Sequence, residues 1–214
     1  MTNTRREKTL KMVQLSVLTA ILFIMAFTPL GYFHAIPGAP PITLLPIPVI
    51  IGAVVLGPAS GAFLGAIFGL TSLIMCFGMD PFGTTLFGIN PFFTAVLCFI
   101  PRMLMGLIVG LVFKGLQKLF EKSENRAVKG LSYPIACIIG APLNTVLFIV
   151  GLVAFFGNSD LIGGMISASG NKILTFAVAF VGLNGIVEAI ACFVLATAAA
   201  IALNAFLNRS KQKN

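Results

Sequence analysis

Long apolar runs separated by short breaks rich in proline, glycine or basic residues dominate the chain. The runs predict helices over residues 12–30, 47–56, 58–77, 91–116, 131–156 and 172–207. A bilayer crossing takes about 20 apolar residues. All of these segments except 47–56 supply that length, so the second helix reads as short: tilted, broken or re-entrant. Gly57-Pro58 ends one helix and starts the next, since glycine suits a helix C-terminus and proline the first turn that follows. Asn90-Pro91 supplies a cap and first-turn pair in the same way. Residues 31–48 contain five prolines, the single histidine and Tyr32. Proline at that density prevents continuous helix, so the segment reads as an external loop with partly extended backbone, either a lid or a connector. Residues 78–90, with Asp80 and Thr84-Thr85, and residues 157–171, rich in Gly and Ser, read as second and third outer loops.

Composition turns this pattern into a class. The 214 residues are 58% hydrophobic and 9% charged, against about 25% charged in an ordinary globular domain. The chain is expected to be an all-α integral membrane protein, a single domain over residues 1–214, with six transmembrane helices. Abundant glycine and proline without strand alternation exclude a barrel. The net charge of +8 would fit nucleic acid, but the basic residues flank apolar spans. Arg5, Arg6, Lys8 and Lys11 precede the first, and Arg209, Lys211 and Lys213 follow the last. Lys114, Lys118, Lys122, Arg126 and Lys129 lie between the fourth and fifth, and Glu121 and Glu124 do not cancel their signal. Basic residues mark cytoplasmic flanks, which places both termini inside. The first span is too long for a signal-peptide core and is expected to remain as an anchor. Cys76, Cys98, Cys137 and Cys192 lie in or at the edge of apolar runs without CxxC spacing and read as buried thiols, not as metal ligands or disulfides.

Arg102 stands near the middle of the fourth predicted helix. A guanidinium there costs roughly 2.5–3.5 kcal/mol, so it is expected to face a protein interior or watery cavity and to have an anionic partner. The other polar residues inside predicted spans are Asn144, Asn184 and Glu188. Asn184 and Glu188 are four apart and share a helix face. Counted from the outer ends, Arg102, Asn144 and Asn184 lie at depths that agree within about a turn. Two readings follow. Arg102 and Glu188 form an ion pair that ties two helices, or Arg102 takes a ligand carboxylate or phosphate while the amides and Glu188 meet hydroxyl and amide groups. Tyr32 and Thr43 in the first outer loop, with Asn90, complete the candidate contacts. Gly57, Gly61, Gly65 and Gly69 recur every fourth residue, a small-residue ridge that either packs within the chain or docks a separate membrane subunit. No GxxxxGK[ST], HExxH or GxSxG motif occurs. Neither a catalytic set nor a cofactor is implied, and the chain is not expected to hydrolyse ATP by itself. Glu188 alone is thin support for a proton relay.

Three stretches carry a resemblance: ITLLPIPVIIGAVVLGPASGAFLGAIFGLTSL (Ile42 to Leu73), CFIPRMLMGL (Cys98 to Leu107) and NGIVEAI (Asn184 to Ile190). They resemble the substrate-binding S components of energy-coupling-factor (ECF) vitamin transporters, and are most similar to the pantothenate-specific type. The resemblance implies a six-helix protein in the plasma membrane of a prokaryote that captures a vitamin near the extracellular face. It also implies a transmembrane coupling subunit and two cytoplasmic ATPase subunits as partners, and reorientation in the bilayer to release the ligand. Such components commonly dock through small residues on the first helix. Here that pattern is Ser16 and Ala20 followed by Ile24, with the Gly61, Gly65, Gly69 ridge as a second candidate surface. Pantothenate, a monoanion with two hydroxyls and an amide, matches one Arg among neutral polar groups. The alternatives are another vitamin (folate or a thiamin precursor), a stand-alone proton- or ion-coupled secondary transporter, and a membrane assembly factor.

Overall fold

A computed structural model describes residues 2–29, 31–33, 42–120, 131–170 and 172–212, with the side chains of 2–4, 33, 42, 179–184 and 203–212 outside the description. In chain order the elements are α1 (Thr2–Ala26), β1 (Tyr32–Phe33), β2 (Ile42–Thr43), α2 (Pro46–Val55), α3 (Pro58–Met75), α4 (Pro81–Ile89), α5 (Pro91–Phe120), α6 (Ser132–Phe156), α7 (Asp160–Ala168) and α8 (Ile173–Gln212). Residues 34–41 of the expected first loop, and Lys122, Arg126, Lys129 and Lys213, lie outside the described residues.

Among the described residues five helices, α1, α3, α5, α6 and α8, are long and apolar enough to cross a membrane. α2 is not. Its 10 residues extend about 15 Å at 1.5 Å per residue, half of a hydrocarbon core of about 30 Å. The expected six spans are therefore five of crossing length and one short apolar helix. α2 is buried along nearly its whole length, from Pro46 through Val54, and touches each of the five longer helices. A helix that is apolar on every side is stable when protein surrounds it, and α2 forms the centre of the bundle. Leu45, Val49 and Ile50 pack there with Leu64, Phe68, Met105 and Val109.

Two glycine-dependent features set the frame. Gly57, between α2 and α3, has φ 104° and ψ 173°, a region almost closed to residues with a Cβ. The glycine face of α3 then lies directly on α5. A methyl group added at Gly61 would strike the Gly106 carbonyl, one at Gly65 the Arg102 carbonyl, and one at Gly69 would lie 2.8 Å from the Cys98 carbonyl oxygen. The ridge thus packs within the chain, backbone to backbone, and Gly61, Gly65 and Gly69 are buried. That face is already filled in this conformation and offers no open surface to another subunit.

The same contacts show antiparallel neighbours: α3 residues 61, 65 and 69 meet α5 residues 106, 102 and 98. Gly52 lies against Leu64, and Gly140 and Gly151 of α6 lie against Val109 and Leu97 of α5. The connections that follow α1, α3 and α6 consequently gather at one end. Two of them, expected as loops, contain helices. Asp80 caps α4, its Oδ2 accepting from the Gly83 N–H at 3.0 Å, with Pro81 in the first turn. Ser159 caps α7 by accepting from the Ile162 N–H at 3.3 Å. Both are ordinary helix-start chemistry. These helices cover a second core formed by Leu86, Leu97, Leu152, Phe156, Ile162 and Phe176.

Other boundaries move for simple reasons. α1 starts at Thr2 because its Arg and Lys residues are good helix formers, and it stops at Ala26, ahead of Pro29. α5 continues past 116 to Phe120. The partly extended segment after α1 is realised as an antiparallel ribbon pairing Tyr32 with Thr43 and Phe33 with Ile42.

Candidate functional site

A cavity of about 140 Å³ lies under the ribbon, walled by the ribbon, α3, α4, α5, α6 and α8. At a liquid share of roughly 30 Å³ per water it has room for about five waters, or an organic molecule of comparable bulk. Each wall contributes polar side chains to an otherwise apolar surface: Ser72 from α3, Asp80 at the start of α4, Thr94 and Arg102 from α5, Asn144 and Thr145 from α6, and Glu188 from α8.

The ribbon explains how Tyr32 and Thr43 reach the cavity. Residues directly paired across two strands project to the same side, and Tyr32 and Thr43 are such a pair. The hydroxyls of Tyr32 and Ser72 share a hydrogen bond of 3.1 Å. Burial pushes the Tyr32 phenol up to about 12, so it remains a neutral group that can both donate and accept. Across the cavity, the Thr43 hydroxyl donates to Glu188 Oε1 at 3.0 Å, and the Thr43 N–H donates to Oε2 at 3.4 Å. Glu188 is buried, and these two donors offset part of the cost of removing a carboxylate from water.

Arg102 is held differently. Nη1 donates to the Leu97 carbonyl at 2.7 Å. The guanidinium carbon lies over two rings, 5.4 Å from the Phe68 centroid and 4.9 Å from the Phe148 centroid, positions at which a ring face attracts a cation. Among the described residues no ion pair joins Arg102 to Glu188. Its Nε is buried without a hydrogen-bond partner, and so is Oδ1 of the buried Asn144. Two residues of the cavity wall thus carry one unpaired atom each, a donor on Arg102 and an acceptor on Asn144, and both atoms are shut off from water.

Of the candidate contacts read from the sequence, Arg102, Asn144, Glu188, Thr43 and Tyr32 line this cavity. Asn184 belongs to α8 one turn before Glu188, and its side chain lies outside the described residues. Asn90 is not on the wall. It stands between α4 and α5, where its Oδ1 accepts from the Phe93 N–H at 3.1 Å, the cap that a helix beginning Asn-Pro requires. Sequence reasoning missed Ser72, Thr94, Thr145 and the two phenylalanines beneath Arg102. A signal for one was present: Thr94, Cys98 and Arg102 are spaced by four and share a helix face. Cys76 and Cys98 meet in the same wall, their Sγ atoms 3.9 Å apart. Ser16 and Ala20 lie on the exposed side of α1 beside Val13, Val17 and Ile24.

Comparison with known proteins places this geometry. Residues 10–200 match the family described as ECF transporter, substrate-specific component. A protein named pantothenic acid transporter PanT, from Lactococcus lactis subsp. cremoris, is 29% identical over 96% of this chain and 100% of its own length. A pantothenate transporter PanT from Leuconostoc mesenteroides subsp. mesenteroides is 30% identical over 90% of this chain and 91% of its own. Spans of crossing length and a family match over nearly the whole sequence agree: the chain belongs to the ECF transporter substrate-specific components, prokaryotic membrane transport subunits that take a vitamin to an energising module and are not enzymes.

Proposed function

We propose that this chain binds pantothenate in the cavity under the ribbon, at the extracellular side of the membrane, for ATP-driven uptake. The observation that carries the reading is the division of charges on the cavity wall. Glu188 is engaged by Thr43, whereas Arg102 borders the cavity with Nε free of partners among the described residues and no carboxylate against it. The missing anion then comes from the ligand. A pantothenate carboxylate at Arg102 gains charge-assisted hydrogen bonds. Its amide N–H or a hydroxyl donates to Asn144 Oδ1. The two hydroxyls at its other end meet Thr43, Glu188, Tyr32 and Ser72, groups that offer both donors and acceptors. The two relatives named as pantothenate transporters support the same choice.

Uptake in this reading depends on a transmembrane coupling subunit and two cytoplasmic ATPases, with both termini of this chain inside. The exposed small residues Ser16 and Ala20 of α1 are the surface offered to the coupling subunit. Calorimetric titration of purified protein with pantothenate tests the site. Arg102→Ala should lower affinity by about 100-fold or more, the loss of two charge-assisted hydrogen bonds, while thermal unfolding remains cooperative. Wild-type affinity in a folded Arg102→Ala protein would end the proposal.

A further inference from the structure

α5 carries a proline in its interior, Pro101, one residue before Arg102. In a regular helix the N–H of residue 101 would donate to the carbonyl of residue 97; proline has no N–H, so that carbonyl loses its donor. Leu97 is buried, where an unpaired carbonyl is costly. Its partner is instead Arg102, whose Nη1 donates to Leu97 O at 2.7 Å. We infer that Pro101 is a positioning residue for the anion site: by leaving the Leu97 carbonyl without a backbone donor, it supplies the acceptor that turns the Arg102 side chain back along α5 and fixes its guanidinium at the cavity. Phe68 and Phe148 then hold the guanidinium from α3 and α6. An arginine in a proline-free helix would find every nearby carbonyl already engaged and would keep its long side chain mobile, losing rotamer entropy when a ligand arrived. Part of the ordering has been completed before binding.

The inference rests on Arg102 receiving the anion of pantothenate, and it predicts effects of opposite sign on stability and affinity. Pro101→Ala restores the backbone donor and removes a proline from a helix interior, so the protein should melt at a higher temperature. The restored N–H competes for the Leu97 carbonyl, and pantothenate should bind about tenfold more weakly, the loss of one charge-assisted hydrogen bond's worth of ordering. Pro101→Gly also restores the donor and should show the same affinity loss without the gain in melting temperature. Pro142, the other helix-interior proline, is exposed on α6 and lines no part of the cavity; Pro142→Ala should bind as wild type does. A readout without ligand is nuclear magnetic resonance of 15N-arginine protein, in which the bonded Arg102 Nη1 should give a distinct, slowly rotating signal that Pro101→Ala removes. Unchanged affinity in both Pro101 variants, a lower melting temperature in Pro101→Ala, or an Arg102 signal unaltered by it would overturn the inference. Failure of wild-type protein to bind pantothenate while the signal responds as expected would remove the ligand assignment and leave the positioning role standing.

Discussion

Tyr32 and Arg102 show two ways of keeping a polar side chain in an apolar wall. Tyr32 stays neutral: its ionisation, near 10 in an unfolded chain, is displaced by burial to about 12. A group whose folded-state value is raised contributes stability that is fully present below the unfolded value and is lost as pH climbs through the folded one. This contribution therefore holds below pH 10 and disappears between pH 10 and 12. Tyr32→Phe should flatten that alkaline decline in thermal melts. An unchanged slope would mean that other groups control it. The Arg102 guanidinium is held instead by a carbonyl and two rings. That it mattered was legible in the sequence, because a lone arginine inside an apolar run is costly. What it touches was not. The choice between Glu188 and a ligand depended on Thr43, more than 140 residues away in the chain, and no local pattern encodes such a pairing.

At the scale of elements, α3 and α5 are joined through bare backbone, where Cα–H groups and carbonyls meet without intervening side chains. Gly65→Ala places a carbon against the Arg102 carbonyl and should destabilise the protein by roughly 1–3 kcal/mol, the usual cost of overpacking. Because the displaced carbonyl belongs to Arg102 itself, pantothenate affinity should fall in the same variant; a melting temperature equal to wild type would contradict this packing. The four-residue glycine spacing was readable, whereas the identity of its partner required the fold. α4 and α7 escaped because nine residues are too few for helical periodicity to emerge, and glycines, prolines and serines dominated the impression of loop. Their capping residues, Asp80 before Pro81 and Ser159 before Asp160, were the local signal. α2 was correctly read as short, and its all-round apolar surface foreshadowed its place in the centre.

For the whole molecule, the decisive test is energetic. Vesicles containing this chain alone should bind pantothenate and accumulate none, even with an imposed ion gradient. Adding the coupling subunit and both ATPases with ATP should start accumulation. Uptake by the lone chain on a gradient would replace the proposed function with secondary transport. Hydropathy and charge made the membrane class and approximate span count legible; the cavity emerges only when five separate helices and the ribbon converge. The ribbon also sets a clock. Among the described residues it is fastened to the bundle by the Tyr32–Ser72 hydrogen bond, the Thr43–Glu188 pair and the packing of Tyr32 against the central core, with each hydrogen bond worth about 1 kcal/mol. A cover whose opening costs a few kcal/mol stands open in roughly 0.1–10% of molecules at any instant. Lid openings take microseconds to seconds, so under the proposed function a scarce solute would be admitted by thermal motion alone, at a pace set by its concentration outside, with no fuel spent at the entrance.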